Sequence, residues 1–184
     1  GQPVDAVRVA GGVRTAVETA GLAALSLELD LAEAVAAREL GDREAAERSL
    51  EALTGHAHHP HTWVSFLAGL ELTEARLDVG DLPGAVGRLR EATEGAEREL
   101  PGAGARARAA RTGVLVALAS DDLPAAETWV RRCDDPFWGP VSQARVHLRA
   151  GRRDEAAEAV QRAEPRCVRH QVVRDLVLAR ATVD

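Results

Sequence analysis

A helix end, a tight turn and a new helix start recur together four times in this sequence, most fully in residues 80–92. Gly80 can adopt the left-handed conformation that ends a helix. Asp81 suits the N-cap of the next helix, and Pro83 suits its first turn, where backbone N–H groups lack helical partners. The segment therefore predicts two helices joined by a short turn. Small and apolar residues then follow at intervals of four and three, on one helical face: Ala85, Leu89 and Ala92.

Three further copies of this pattern begin at Gly41, Asp121 and Gly151. In every copy a small residue lies five positions after the turn residue, and a larger apolar residue follows four positions later. The turns near 41, 80, 121 and 151 are separated by 39, 41 and 30 residues, and such spacings predict a helical repeat array. The small residues are Ala46, Ala85, Ala126 and Ala156, and the larger ones are Leu50, Leu89, Val130 and Val160.

The composition suits closely packed helices in a soluble protein. The apolar residues are mainly Ala, Leu and Val, and aromatic residues make up only 3% of the chain. No apolar run approaches the roughly 20 residues of a membrane span, and no signal peptide is visible. We therefore predict an all-α, cytoplasmic protein that does not enter a membrane. The absence of Lys, Ile, Asn, Tyr and Met suggests a bacterial gene of high G+C content, and the missing initiator Met suggests a fragment of a larger protein.

The net charge of −6 argues against general affinity for nucleic acid, which needs a basic surface. The charge is uneven along the chain. Residues 1–100 carry nine arginines and 18 acidic residues, net −9, whereas residues 101–184 carry 14 arginines and 11 acidic residues, net +3. Two interpretations stay open: a solvated helical surface with unequal halves, or a basic C-terminal half that faces an acidic neighbour.

Hydrophobic periodicity predicts most of the helices, but residues 4–20 contain Gly11-Gly12. Because each glycine costs about 1 kcal/mol relative to alanine inside a helix, we predict a broken or frayed helix there. The other helices are predicted at 22–40, 42–54, 61–79, 82–100, 104–119, 122–133, 141–150, 153–163 and 166–182.

Four histidines lie between His56 and His61. Imidazole nitrogens are good ligands for zinc or nickel, so adventitious metal binding is one interpretation. The other, which we favour, is a loop in which Pro60 opens the next helix, because no Cys, Asp or Glu lies nearby to complete a metal site. We predict no bound cofactor or metal.

A second unusual segment runs from Asp134 to Pro140, where two prolines and a glycine argue against a regular helix. It contains two large aromatic residues, Phe137 and Trp138. They either fold back over the seam between repeats or form an exposed recognition point for a partner, since aromatic anchors dominate many interfaces.

No pattern in the sequence indicates an enzyme. A chain without lysine cannot supply the phosphate-binding lysine of a P-loop. Residues 102–107 match G-x-G-x-x-A, but a predicted helix precedes them, whereas the nucleotide-binding pattern follows a strand. Cys133 is predicted to be a small core residue, and Cys167 a free thiol at the start of the last helix.

The repeated turn resembles the tetratricopeptide (TPR) pattern, although Arg76 occupies a position where Tyr is typical of that motif. The longer and looser spacing is similar to that of the large LuxR-type (MalT-like) transcriptional regulators, over about residues 58–183. The segments that carry this similarity are Leu77–Ala85, Asp134–Ser142 and Pro165–His170.

The resemblance implies a single TPR-like repeat domain over residues 1–184, a right-handed α-α superhelix of about four to five antiparallel helix pairs. Such regulators also carry a nucleotide-hydrolysing switch module and a DNA-binding helix-turn-helix, and this chain has the sequence of neither. It would therefore bind a protein partner or a small effector, and no nucleic acid. An alternative is a free-standing TPR-like adaptor. Candidate residues for the concave binding face are Leu70, Glu74, Leu77 and Leu118, each of which packing or solvation would also explain.

Overall fold

The computed structural model describes residues 3–55, 62–99 and 102–182, which form ten α-helices and no strand. The predicted all-α class is therefore confirmed for this part of the chain. Nine of the predicted helices are present with ends that differ from the predicted ones by at most three residues. The helices are α1 (Pro3–Thr19), α2 (Ala23–Leu40), α3 (Arg43–Thr54), α4 (Thr62–Asp78), α5 (Leu82–Glu99), α6 (Ala103–Ala119), α7 (Leu123–Val130), α8 (Trp138–Arg149), α9 (Arg153–Gln161) and α10 (Val168–Thr182).

The helices belong to two compact units, Gly1–Leu100 and Pro101–Asp184. Unit 1 contains α1 to α5, in which each helix packs against the next. Unit 2 contains α6 to α10; there α8 packs against all four other helices of the unit. The prediction of one repeat domain over residues 1–184 stays a prediction.

All four predicted turn residues adopt the left-handed backbone conformation. Their φ angles are +90° at Gly41, +77° at Gly80, +57° at Asp121 and +75° at Gly151. Each turn joins two helices into a pair, namely α2–α3, α4–α5, α6–α7 and α8–α9. A fifth turn of this kind, which the sequence pattern missed, lies at Gly21 between α1 and α2, with φ +65°.

Aspartates cap three of the second helices as predicted. The carboxylates of Asp42, Asp81 and Asp122 accept hydrogen bonds from backbone N–H groups three residues later, with N···O distances of 3.2, 3.0 and 2.9 Å. The fourth pair has Arg152 at this position and no side-chain cap. The caps fix where each second helix starts, because they satisfy N–H groups that have no helical partner.

The small residue of each repeat is buried in the contact between helices. Ala46, Ala85, Ala126 and Ala156 are all buried, so the predicted spacing places them correctly. Two apolar clusters of the core contain residues of the repeat pattern, Leu50 in unit 1 and Ala156 with Val160 in unit 2. In unit 1 one cluster includes Leu31, Ala34, Leu50, Leu53, Val64, Ala68 and Leu72, and in unit 2 the other includes Phe137, Val141, Ala144, Ala156, Ala159, Val160 and Ala163.

The prediction of a broken first helix was wrong, because α1 continues through Gly11-Gly12. Packing against α2 compensates for the low helix propensity of two glycines. Ala10 and Val17 are buried, and Arg14 reaches Asp30 of α2 with an N···O distance of 2.7 Å. Most helical stability in proteins comes from such tertiary packing rather than from propensity.

The loop at 134–140 is shorter than predicted, because α8 begins at Trp138 and contains Gly139 and Pro140 in its first turn. Proline is tolerated there, since the first N–H groups of a helix have no helical partner. Asp135 starts the helix: its carboxylate accepts hydrogen bonds from the backbone N–H groups of Phe137 and Trp138, at 2.8 and 2.7 Å.

Candidate functional site

An arginine in unit 1 links the C-terminal halves of α2 and α4. The guanidinium of Arg38 lies 2.8 Å from a carboxylate oxygen of Glu71 and 3.4 Å from one of Glu74. It also donates to the backbone carbonyl of Glu71, at 3.2 Å, and lies 4.0 Å from Asp78. Burial, the largest influence, lowers the pKa of Arg38, but the attraction of the three carboxylates outweighs it, so the pKa is raised. The arginine therefore stays charged in a nearly buried setting.

A second arginine ties the end of α4 to the neighbouring elements of unit 1. Arg76 forms an ion pair with Glu47 of α3. Its guanidinium also lies 3.6 Å from Glu51 and 3.8 Å from Asp81 in the turn before α5. The two arginines together fix the end of α4 against α2, α3 and the following turn.

A cleft of about 240 Å³ opens between these ion pairs. Three arginines and three carboxylates lie along it, so it offers both signs of charge within one small volume. Arg43 lies at the first position of α3 and is exposed. We call this feature the charged cleft; its lining residues are Arg38, Glu39, Leu40, Gly41, Arg43, Glu47, Ala75, Arg76, Asp78 and Val79.

Unit 2 contains a cluster of ring contacts, which we call the aromatic cluster and which comprises Arg111, Phe137, Trp138 and His170. The rings of Phe137 and His170 are stacked, with centroids 3.8 Å apart and planes inclined by 1°. Trp138 meets both rings edge-on, with centroid distances of 4.8 and 5.4 Å. The guanidinium of Arg111, from α6, lies 3.9 Å from the Trp138 ring centroid, which is cation–π geometry. The cluster joins α6, α8 and α10.

The surroundings of His170 favour its neutral form. Its Nδ1 accepts a hydrogen bond from the backbone N–H of Arg166, at 3.4 Å, so the ring proton lies on Nε2. Burial lowers the pKa of His170, and the nearby Arg166, Arg169 and Arg111 lower it further, whereas Asp135 acts in the opposite direction. A neutral imidazole stacks on a phenyl ring without the desolvation that a charged one would require.

The two cysteines lie where the sequence predicts them. Cys133 is a buried free thiol, and its Sγ lies 3.7 Å from the carbonyl oxygen of Ala107. Burial raises the pKa of Cys133, which keeps it protonated and unreactive. Cys167 is an exposed free thiol.

The three candidate binding residues of α4 are buried or half-buried, and none of them lines the charged cleft. Leu70 has no exposed surface, Glu74 is 6% exposed and bound to Arg38, and Leu77 is half-buried. Leu118 lies on α6 in unit 2, half-buried against a small apolar cluster. That these four residues form one ligand-binding face stays a prediction.

The candidate interface aromatics differ in their exposure. Phe137 is fully buried, which agrees with the interpretation that this segment folds back on the helices. Trp138 is half-buried beneath Arg111. A role for Trp138 in partner recognition stays a prediction.

Sequence reasoning missed the ion pair of Arg38 with Glu71 and the contacts that Arg111 and His170 make with Trp138. One signal was present: Glu71, Glu74 and Asp78 recur at intervals of three and four on a mainly apolar helix. Carboxylates on the apolar side of a helix predict a buried cationic partner. No comparable pattern marks Arg111 or His170, because their partners come from other elements of unit 2.

Within the ranges 3–55, 62–99 and 102–182, no group of three His, Cys, Asp or Glu residues is arranged to hold a metal ion. The histidine segment His56–His61 lies outside the described residues. Across the same ranges, none of the helices combines the length and the apolar character needed to cross a bilayer.

No protein-family model matches this chain, and neither a curated protein nor a solved structure matches it. Its function therefore has to be inferred from its own geometry.

Proposed function

We propose that this chain is the ligand- or protein-binding helical-repeat domain of a LuxR-type transcriptional regulator, built as a right-handed TPR-like superhelix of four to five helix pairs. The observation that best supports the proposal is the recurrence of one turn geometry. A left-handed residue at 41, 80, 121 and 151 is followed each time by a buried alanine five positions later. Equivalent turns favour equivalent stacking of helix pairs, and stacked pairs present an extended binding surface.

The charged cleft is the binding site in this proposal. It lies at the C-terminal ends of α2 and α4, the first helices of two successive pairs, and first helices line the concave face of a TPR-like array. Its arginines and carboxylates suit a ligand that carries both signs of charge, such as a peptide segment or a zwitterionic metabolite. The ion pairs of Arg38 and Arg76 hold the cleft in shape before the ligand arrives, which lowers the free-energy cost of binding.

In the full-length regulator, binding at the cleft would act on a nucleotide-hydrolysing switch module, and a separate helix-turn-helix would bind DNA. This domain itself binds no nucleic acid in the proposal, and it works in the cytoplasm. The ligand can shift the switch only to the extent that its affinity differs between the on and off states.

The first test is a thermal-shift and calorimetric screen of the full chain against small metabolites and, in parallel, against the separately expressed switch module. A ligand at about one hundred times its Kd should raise the free energy of unfolding by about 2.7 kcal/mol. Binding of a metabolite would identify a small-molecule sensor. Binding of the switch module alone would identify a scaffold, and binding of neither would contradict the proposal.

A matched pair of variants on α3 tests the location of the site. Arg43→Glu reverses an exposed charge in the cleft, and Arg48→Glu reverses an exposed charge on the same helix outside it. A ligand found in the screen should bind Arg43→Glu at least about tenfold more weakly, a loss of about 1.4 kcal/mol. Its affinity for Arg48→Glu should be unchanged. Equal affinities for the two variants would place the ligand elsewhere.

A further inference from the structure

The last helix, α10, is apolar on two opposite sides. On one side Val177 and Ala181 are buried in the Phe137 cluster. On the other side Val168, Val172 and Leu176 are 81%, 51% and 61% exposed. These three residues are spaced four apart and so form one stripe along the helix, which we call the α10 stripe. A continuous row of exposed apolar side chains marks an interaction surface, whereas single exposed apolar residues do not.

The α10 stripe lies on a firmly held helix. His170 stacks on the buried ring of Phe137, and Val173 and Leu178 pack against the same apolar cluster. A partner therefore meets a surface that is already formed, and little conformational entropy is lost in ordering it.

The surroundings of the α10 stripe are basic. Arg169 and Arg180 are exposed and lie three helical turns apart, on the same edge of the stripe, and Arg166 is exposed just before the helix. Asp175 is the one acidic residue in the sequence of α10, which carries three arginines, Arg169, Arg174 and Arg180. The stripe therefore combines an apolar centre with a positive edge.

We propose that the α10 stripe binds an acidic amphipathic helix of a partner protein. The partner helix would set aliphatic residues against Val168, Val172 and Leu176, and carboxylates against the edge formed by Arg169 and Arg180. When two helices pack in this way, apolar residues at intervals of three and four form the contact. Complementary charges select the partner and the direction in which its helix runs. The inference goes beyond the proposed function and does not depend on what the charged cleft binds.

A second copy of this chain fits the stripe less well. In an antiparallel two-fold contact between two α10 helices, each edge faces its own counterpart, so the edge with Arg169 and Arg180 would meet the same two arginines. In a parallel two-fold contact it would meet the opposite edge, whose one carboxylate, Asp175, already accepts hydrogen bonds from Gln171 and Arg174. Another exposed apolar stripe, at Val9 and Val13 of α1, offers no acidic surplus, because the sequence of α1 carries two acidic residues, Asp5 and Glu18, and two arginines, Arg8 and Arg14.

The test uses fluorescence anisotropy with the full chain and two labelled synthetic peptides. Both are amphipathic helices with leucines spaced as the α10 stripe requires; one carries glutamates along its edges and the other carries lysines. We expect the glutamate peptide to bind at least about tenfold more tightly than the lysine peptide, and the difference to shrink in high salt. Equal affinities, or no binding of either peptide, would overturn the proposal.

Two pairs of variants locate the contact. Val172→Ser with Leu176→Ser should weaken binding of the glutamate peptide at least about 30-fold, whereas Leu25→Ser with Val86→Ser, at exposed positions of unit 1 outside the charged cleft, should leave it unchanged. Arg180→Glu should weaken binding about two- to fivefold, and Arg131→Glu, also exposed in unit 2, should have no effect. Unchanged far-UV circular dichroism shows that each variant is folded.

Two further results would overturn the proposal. One is glutamate-peptide binding that survives the Val172→Ser/Leu176→Ser exchange. The other is a dimer of the unmodified chain in sedimentation velocity that the same exchange abolishes, because the stripe would then belong to a second copy.

Discussion

Two arginines perform comparable tasks in the two units by different chemistry. Arg38 reaches from α2 to carboxylates on α4, and Arg111 reaches from α6 to the ring of Trp138 on α8. In each unit the arginine links the first helix of one pair to the first helix of the next. Unit 1 uses nearly buried ion pairs for this link, whereas unit 2 uses a cation–π contact and stacked rings.

The difference shows that turn geometry and inter-pair contacts are specified separately. The turns at Gly41 and Asp121 have the same left-handed conformation, although the links beside them share no chemistry. Ion pairs should be sensitive to the loss of one partner, because that leaves a charge buried. The stability of stacked rings should be sensitive to a reduction in side-chain volume and, because one ring is a histidine, to pH.

The largest expected effect is that of Phe137→Ala in unit 2. Phe137 is fully buried at the centre of its cluster. Truncating such a side chain leaves a cavity and should lower the free energy of unfolding by about 3–5 kcal/mol. Urea unfolding followed by circular dichroism measures the loss, with the exposed Val86→Ala as the control, which should stay within about 0.5 kcal/mol of the original chain. A loss for Phe137→Ala no larger than that of the control would show that stacking does not hold unit 2 together.

The next effect is that of Arg38→Ala in unit 1. It leaves Glu71 and Glu74 buried without their shared cation, at a cost of about 3 kcal/mol. A triple variant, Arg38→Met with Glu71→Leu and Glu74→Leu, should recover most of the loss, because apolar residues of similar size often replace a buried ion pair without penalty. The same urea titration compares the two. A triple variant as unstable as Arg38→Ala would mean that Arg38 acts through its packing and not through its charge.

The sequence predicted the turns and missed the links for a physical reason. The turn at Gly80 and its cap Asp81 depend on residues that are neighbours in the chain, so a local pattern describes them fully. The contact between Arg38 and Glu71 joins residues 33 positions apart and depends on how two helices pack. Local propensity also gave a wrong result for Gly11-Gly12, because the packing of α1 on α2 outweighs it.

The pH dependence of unit 2 should be a smaller effect, and it should come in part from His170. The pKa of His170 is lower in the folded chain than its ordinary value near 6.5. Its contribution to stability is therefore complete above about pH 6.5 and is lost as the pH falls from there through the folded pKa. We expect the Tm of the original chain to fall more between about pH 7 and about pH 5 than that of His170→Phe, which keeps a ring on Phe137 but does not titrate.

His147 needs its own control in this experiment. Burial and Arg152 lower its pKa as well, so its contribution has the same sign as that of His170. Every histidine other than His170 is the same in the original chain and in His170→Phe, so its contribution cancels in the difference if it is independent of His170. The variant His147→Gln measures the contribution of His147 separately. Identical pH profiles for His170→Phe and the original chain would exclude a titrating contact in the aromatic cluster.

The smallest expected effect is that of Arg14→Ala in unit 1, which shows how much burial adds to the effect of losing a charge. Arg14 of α1 also pairs with two carboxylates of α2, Asp30 and Glu33, at 2.7 and 2.8 Å, but these side chains are about one third exposed. Arg14→Ala should therefore destabilise the chain by less than about 1 kcal/mol. In about 1 M NaCl, where the Debye length is about 3 Å, this loss should nearly vanish, whereas most of the loss in Arg38→Ala should persist because salt cannot screen a buried charge. The two variants carry the same change of charge, and the arginines differ mainly in their burial. Equal sensitivity to salt would mean that water reaches Arg38 as freely as Arg14, and the contrast between a buried ionic link in unit 1 and an aromatic link in unit 2 would have to be abandoned.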